Sequence, residues 1–167
     1  MKPVVRVALV LITAAVLEQG LSVLRVDGVA ADVLLLVAVS AGIVGGPDLG
    51  ALIGFFAGLT MDLLLTAPMG LAALAYCLSG YAVGMLHGTS VRASRWQGPV
   101  LAAVGSALGT VGYVLLARMV GRTGLFDTHL VTVVLVVSLV NAVLAPWAIR
   151  LMRWALGDAV PSRAAIR

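Results

Sequence analysis

The residues that could do chemistry in this sequence are a few polar side chains set inside long apolar runs. Asp62, Glu18 and Arg118 each lie near the end of such a run, and Asn141 lies in the middle of another. An ionised carboxylate is costly in hydrocarbon, so these groups must face other protein groups or water. A buried pair of Arg118 with Asp62 or Glu18 would satisfy them. An ion or proton site at Asp62 is the functional alternative.

Patterns that mark an enzyme or a metal site are missing from the sequence. It has no phosphate-cradling Gly-rich loop with a Lys, no nucleophile elbow and no HExxH helix. His87 and His129 lie far apart, without Cys, Asp or Glu at ligand spacing. A second acid for an intramembrane aspartyl enzyme would have to come from Asp32 or Asp127, which we place in loops. We therefore predict no enzymatic activity, no metal and no cofactor.

Composition indicates an integral membrane protein with almost no aqueous domain. Hydrophobic residues make up 62% of the 167 residues and charged residues only 11%, too few for the polar shell of a soluble domain. The basic residues are scattered, which argues against a nucleic-acid partner. The charge-free gaps have membrane length. They separate residues 6 and 18, 32 and 48, 62 and 92, 95 and 118, and 127 and 150.

These gaps predict an all-α integral membrane protein, a bundle of six transmembrane helices in a single domain over residues 1–167. A short basic tail covers residues 153–167. Turn signals such as Gly46-Pro47 separate the helices. The second helix is the shortest, and its apolar core covers only about 20 Å. Because this is less than the thickness of the hydrocarbon core, a re-entrant segment remains an alternative. The predicted helices cover about 4–24, 29–44, 49–65, 69–86, 99–120 and 130–152.

The distribution of basic residues predicts that both termini are cytoplasmic. With six spans, only Arg25, Arg118 and Arg122 fall outside, and the positive-inside rule favours this arrangement. The cytoplasmic set comprises Lys2, Arg6, Arg92, Arg95, Arg150, Arg153, Arg163 and Arg167.

Three stripes of glycine at four-residue spacing predict close contacts between helices. Residues four apart lie on one helix face, and glycines there let another backbone approach. Either packing within the bundle or a partner interface would use them, and both interpretations remain open. The stripes are Gly50, Gly54 and Gly58 followed by Asp62, then Gly80, Gly84 and Gly88, and then Gly105 and Gly109.

Two segments resemble the rod shape-determining protein MreD family. The run from Gly50 to Leu63, followed by Pro68 to Leu74, is similar to the core motif of that family. The ending Val140-Asn141-x4-Pro146-Trp147-x5-Arg153 is similar to its last helix and basic tail. Family members often open the second helix with Pro-Asp or Pro-Asn, where this sequence has Ala31-Asp32.

The resemblance implies a non-enzymatic inner-membrane scaffold of the bacterial cell-elongation complex, which helps determine cell shape by organising peptidoglycan synthesis. It implies binding to an MreC-like single-span periplasmic protein and association with an MreB-like cytoskeleton and a peptidoglycan synthase. It also implies a bundle like the substrate-binding subunits of energy-coupling-factor transporters. The basic residues Arg92, Arg95, Arg150 and Arg153 would contact cytoplasmic partners or anionic membrane lipid, and a homodimer remains open.

A substrate-binding membrane subunit of a small-molecule transporter is the alternative function. Such a subunit needs a concave outer site with convergent polar groups. The outer connections around Asp27, Ala67 and Arg122 are short and poor in aromatic residues. The first helix also lacks the paired-alanine spacing by which those subunits dock their coupling partner. The scaffold is therefore the favoured interpretation.

Overall fold

The computed structural model describes residues 2–21, 32–64, 70–88, 96–121 and 130–157. Five helices account for nearly all of these residues, and each is long and apolar enough to cross a membrane. The protein is therefore a multi-pass all-α membrane protein. The helices are α1 Pro3–Leu21, α2 Val33–Leu64, α3 Leu71–Gly88, α4 Gln97–Met119 and α5 Leu130–Leu156.

The second helix, α2, consists of two halves divided at Gly46. The backbone of Gly46 has φ 84° and ψ −174°, and Pro47 follows it; glycine tolerates this conformation because it has no side chain. A Cβ atom on Gly50 would lie 2.7 Å from the Cα atom of Gly42. Eight residues of continuous helix would separate these positions by about 12 Å. The chain therefore reverses at Gly46, and the halves pack side by side.

This break falls in the turn that the sequence predicted between its second and third helices. The first half of α2, residues 33–45, covers only about 20 Å, less than the hydrocarbon core of a bilayer. The described chain thus has five helices of spanning length rather than the six predicted, and a sixth full span remains a prediction. The start of the predicted second helix, before residue 32, lies outside the described residues.

The remaining predicted helices correspond to α1, α3, α4 and α5. The last helix runs to Leu156, beyond the predicted end at residue 152, so Arg153 is helical rather than part of a tail. An apolar repeat carries the helix onward, because Met152, Ala155 and Leu156 are all buried on its inner side.

The first half of α2 is the centre of the bundle. Residues 34–43 are all buried, and α2 contacts each of the other four helices. By contrast, α1 and α5 bury only 17% of their membrane-length segments inside the bundle. Lipid solvates exposed apolar side chains, so what holds the helices together must be close packing and polar contacts in the interior.

One end of the bundle, here called the terminal end, gathers the start of α1, the break in α2 and the end of α5. The Arg6 guanidinium donates a hydrogen bond to the Trp154 carbonyl oxygen at 3.3 Å and lies 5.5 Å from the centre of its ring, a cation–π arrangement. A Cβ atom on Gly45 would lie 3.3 Å from the side chain of Leu156. The opposite end is called the far end below.

Candidate functional site

The first glycine stripe forms the interface between the second half of α2 and α3. A Cβ atom on Gly54 would lie 2.5 Å from the carbonyl oxygen of Tyr76, and one on Gly50 would lie 2.5 Å from that of Gly80. At Gly58 a Cβ atom would meet the carbonyl oxygen of Ala72. Only hydrogen fits at these three positions, so the backbones of the two helices touch along most of their length.

The other two stripes also pack inside the chain. A Cβ atom on Gly84 would lie 2.5 Å from the backbone nitrogen of Pro47, and Gly80 packs against Gly50. On α4, a Cβ atom on Gly105 would lie 2.6 Å from the Val83 side chain, and one on Gly109 would lie 2.5 Å from Leu35. Gly88 alone in these stripes faces open space. The chain's own helices thus fill the glycine faces that the sequence left open to a partner.

Asp62 closes the far end of the α2–α3 pair. Its Oδ2 atom accepts hydrogen bonds from the N–H groups of Gly70 at 2.9 Å and Ala73 at 3.1 Å, and Oδ1 accepts from Ala72 at 3.0 Å. The side chain is only 2% exposed. These donors begin α3 and have no acceptor within that helix, and the positive end of its dipole favours a carboxylate. Asp62 therefore caps α3 instead of pairing with Arg118.

Glu18 caps the start of the first half of α2, although Glu18 itself lies on α1. Its Oε2 atom accepts hydrogen bonds from the N–H groups of Val33 at 2.7 Å and Leu34 at 3.4 Å. The side chain is 8% exposed. The predicted pair with Arg118 is therefore also replaced by a contact to backbone donors, because a helix that begins inside the bundle leaves its first N–H groups without water.

Asp32 was placed in a loop from the sequence, yet it is a half-buried junction between helices. Its Oδ1 atom accepts a hydrogen bond from the N–H of Leu35 at 2.8 Å, so it is the N-cap of α2. Its Oδ2 atom accepts a hydrogen bond from the hydroxyl group of Tyr76 on α3. An Asp just before an apolar run is a start signal for a helix. No sequence signal pointed to Tyr76.

Asn141 connects three helices in the middle of the bundle. Its Nδ2 group donates to the carbonyl oxygen of Asp32 at 3.1 Å and to the hydroxyl oxygen of Ser106 on α4 at 2.9 Å. The side chain is fully buried. This residue lies on α5, so one amide group joins α4 and α5 to the start of α2.

Toward the far end, the polar residues surround a cavity of about 200 Å³. The two carboxylates of Glu18 and Asp32 and the Tyr76 ring lie on its wall. Side chains from the far halves of the other helices complete the wall, and they are Met61, Ala72, Thr110, Tyr113, Val133 and Val137. The cavity is therefore lined by two acidic residues and by mainly apolar side chains. No trio of His, Cys, Asp or Glu able to hold a metal occurs within the described ranges.

A comparison with family models gives one result that covers nearly the whole chain. Residues 2–155 match the model described as rod shape-determining protein MreD. The chain belongs to the MreD family. Membership gives it a role in rod shape determination, in a family that is structural and not known for enzymes.

The segment that resembles the MreD core motif lies where the backbones of α2 and α3 approach most closely at glycine. Residues 50–63 form the glycine interface with α3 and end beside the Asp62 cap. No curated protein and no solved structure matches the chain. The expected likeness of this MreD-family bundle to the substrate-binding subunits of energy-coupling-factor transporters therefore remains a prediction.

The basic residues expected to contact partners or lipid lie on the bundle surface where they are described. Arg150 and Arg153 are exposed near the terminal end, on α5. Arg118 is exposed in the last turn of α4, toward the far end. Arg92 and Arg95 lie outside the described residues. The described cations are thus separated between the two ends, with none among the cavity residues.

Proposed function

We propose that this protein is a non-enzymatic scaffold in the bacterial cytoplasmic membrane that organises peptidoglycan synthesis by binding an MreC-like single-span protein. The observation that carries the proposal is the MreD family match over residues 2–155. The fold supports it, since the described bundle uses its polar side chains mainly to join its own helices and exposes apolar faces to the membrane.

The docking face we propose is the groove between α1 and α5. The glycine faces are occupied inside the chain, so a partner helix must use another surface. The groove has a volume of about 700 Å³ and an almost wholly apolar lining. Its floor is the first half of α2, including Leu36 and Val37, and α1 contributes the small residues Thr13 and Ala14 to one side, between Val10 and Leu17. A transmembrane helix gains contact area most readily where small side chains let it approach closely.

The orientation belongs to the same proposal. With both termini in the cytoplasm, the terminal end with Arg150 and Arg153 faces the cytoplasmic leaflet. These exposed cations are suited to anionic lipid headgroups or to an acidic surface of an MreB-like partner. The far end, with the Asp62 cap and the cavity, would then face the periplasm.

Purification of the tagged protein from its native membrane tests the proposal. We expect a single-span periplasmic coiled-coil protein and wall-synthesis enzymes to co-purify. Recovery of an ATPase pair with a membrane coupling subunit would instead identify a transporter subunit and contradict the proposal.

Two matched substitutions on α1 test the docking face. Thr13 and Val16 are both exposed, but only Thr13 lines the groove. Thr13→Trp fills the groove, so we expect it to abolish co-purification of the single-span protein, whereas Val16→Trp should preserve it. Equal recovery with both variants, each folded, would show that the partner binds elsewhere.

A further inference from the structure

The start of α2 gathers more negative charge than its own N–H groups require. Glu18 accepts from Val33 and Leu34, and Asp32 accepts from Leu35. These three donors are consecutive, so both carboxylates lie around one turn of helix. A helix N-terminus offers only about half of a positive charge. When both carboxylates are ionised, most of their charge has no compensation from the helix.

One carboxylate oxygen of Glu18 and Asp32 accepts no hydrogen bond from the described residues. Both hydrogen bonds to Glu18 reach Oε2, which leaves Oε1 available. Its side chain is only 8% exposed and lines the cavity. The described residues of the cavity wall include no Lys, Arg or His. An ionised carboxylate at this depth needs a countercharge, and the described residues of the wall supply none.

The other wall residues suit an organic cation. Tyr76 and Tyr113 offer ring faces, which attract ammonium groups. The hydroxyl groups of Thr110 and Tyr113 can accept hydrogen bonds. A volume of about 200 Å³ is below the range for drug-sized ligands, so the occupant must be small.

We propose that this cavity binds the protonated primary amine of a small molecule, held between the carboxylates of Glu18 and Asp32. An ammonium group has three donors. It can therefore bond Oε1 of Glu18, the carboxylate of Asp32 and the hydroxyl oxygen of Thr110 at the same time. The source is a free amine or the ethanolamine headgroup of a phospholipid. The inference is independent of the scaffold proposal, because the cavity lies apart from the groove between α1 and α5.

Thermal unfolding of the whole protein in phosphatidylcholine nanodiscs provides the test. A ligand that binds only the folded state raises the unfolding temperature in a saturable way. We expect this with ethylammonium chloride, and not with sodium chloride or tetramethylammonium chloride at the same ionic strength. Tetramethylammonium carries the charge without an N–H donor. Equal effects of all three salts, or no effect of ethylammonium, would overturn the proposal.

Two carboxylate variants separate binding from capping. Glu18→Gln keeps a carbonyl oxygen for Val33 and Leu34 but removes the charge, so the affinity for ethylammonium should fall about tenfold or more. Asp62→Asn is the matched control, because Asp62 caps α3 and does not line the cavity. It should retain wild-type affinity. Unchanged affinity in a folded Glu18→Gln variant would contradict the proposal.

A third variant keeps the proposal testable if Glu18→Gln does not fold. Thr110→Val removes a wall hydroxyl group and leaves both carboxylates in place, so we expect affinity to fall severalfold with the fold intact. An unchanged affinity would contradict the binding mode. Nanodiscs that contain phosphatidylethanolamine identify the source: competition with ethylammonium indicates the lipid headgroup, and undiminished ethylammonium binding indicates a free amine.

Discussion

The side-chain amide of Asn141 donates a hydrogen bond to the backbone carbonyl oxygen of Asp32 at 3.1 Å, across 109 positions of sequence. The same amide reaches Ser106, while the carboxylate of Asp32 bonds Leu35 and Tyr76. A helix that begins inside a membrane protein has no water for its first polar groups. Side chains from α1, α3 and α5 therefore supply the partners that fix the start of α2.

Loss of the Asn141 amide should loosen this junction. Asn141→Leu keeps the branched shape and the number of side-chain heavy atoms but removes both hydrogen bonds, so the free energy of unfolding should fall by about 1 kcal/mol, a usual value for such bonds between membrane helices. Reversible unfolding in mixed micelles measures it. Ser138→Ala is the control, because the buried Ser138 hydroxyl has no partner among the described residues. A larger loss with Ser138→Ala would contradict the account.

The glycine interface should resist even one methyl group. Gly54→Ala places a carbon 2.5 Å from the Tyr76 carbonyl oxygen, so the backbones of α2 and α3 must separate, at a cost of about 1–3 kcal/mol. Gly112→Ala on α4 meets no atom within 4 Å and should be neutral or stabilising. The unfolding temperatures of the two variants provide the comparison. Equal temperatures would show that the interface is not closely packed.

Asp62 should matter as a hydrogen-bond acceptor at the start of α3. Asp62→Ala leaves the N–H groups of Gly70, Ala72 and Ala73 without this acceptor, so we expect a loss of about 3 kcal/mol or more. Asp62→Asn keeps one acceptor oxygen, so its free energy of unfolding should fall by less than that of Asp62→Ala. Reversible unfolding in mixed micelles measures the free energy of unfolding of both variants. Equal losses in the two variants would indicate that charge, which both remove, outweighs hydrogen bonding at this site.

Much of this fold was predictable because it depends on local patterns. The Gly46-Pro47 turn signal predicted the break in α2, and the four-residue spacing of Gly50, Gly54 and Gly58 predicted a face for close packing. Small residues at a helical repeat carry this information wherever the partner helix lies. The sequence also predicted that the second helix is short, with an apolar core of about 20 Å. The neighbours that surround this short segment could not be predicted from local patterns.

The polar junction was the part that the sequence did not predict. Asp32 resembles a loop residue in the sequence. No local pattern indicates that its carboxylate accepts a hydrogen bond from Tyr76, which is 44 positions away. The sequence led to pairs of Arg118 with Glu18 or Asp62, because opposite charges at one depth are the obvious solution. The carboxylates instead accept hydrogen bonds from backbone N–H groups at the starts of α2 and α3. The sequence does not show these donors, because their positions depend on how the helices are arranged in space.

Reversal of the chain at Gly46 predicts the side on which Asp48 is labelled. In a Cys77→Ser background, Asp48→Cys should react with an impermeant maleimide from the cytoplasmic side, as a cysteine at Lys2 should. Met119→Cys, highly exposed at the far end of α4, should react from the opposite side. Labelling of Asp48→Cys and Met119→Cys from the same side would contradict the reversal and the proposed orientation.

Photo-crosslinking in living cells tests the scaffold account most directly. A photoreactive amino acid at Leu17 or Leu151 lies in the groove between α1 and α5, and one at Leu108 or Leu115 lies on the α3–α4 face as a control. All four side chains are well exposed. The account predicts crosslinks from the groove positions, and not from the controls, to a single-span periplasmic protein. Crosslinks to that protein from the control face alone, or from none of the four positions, would contradict it.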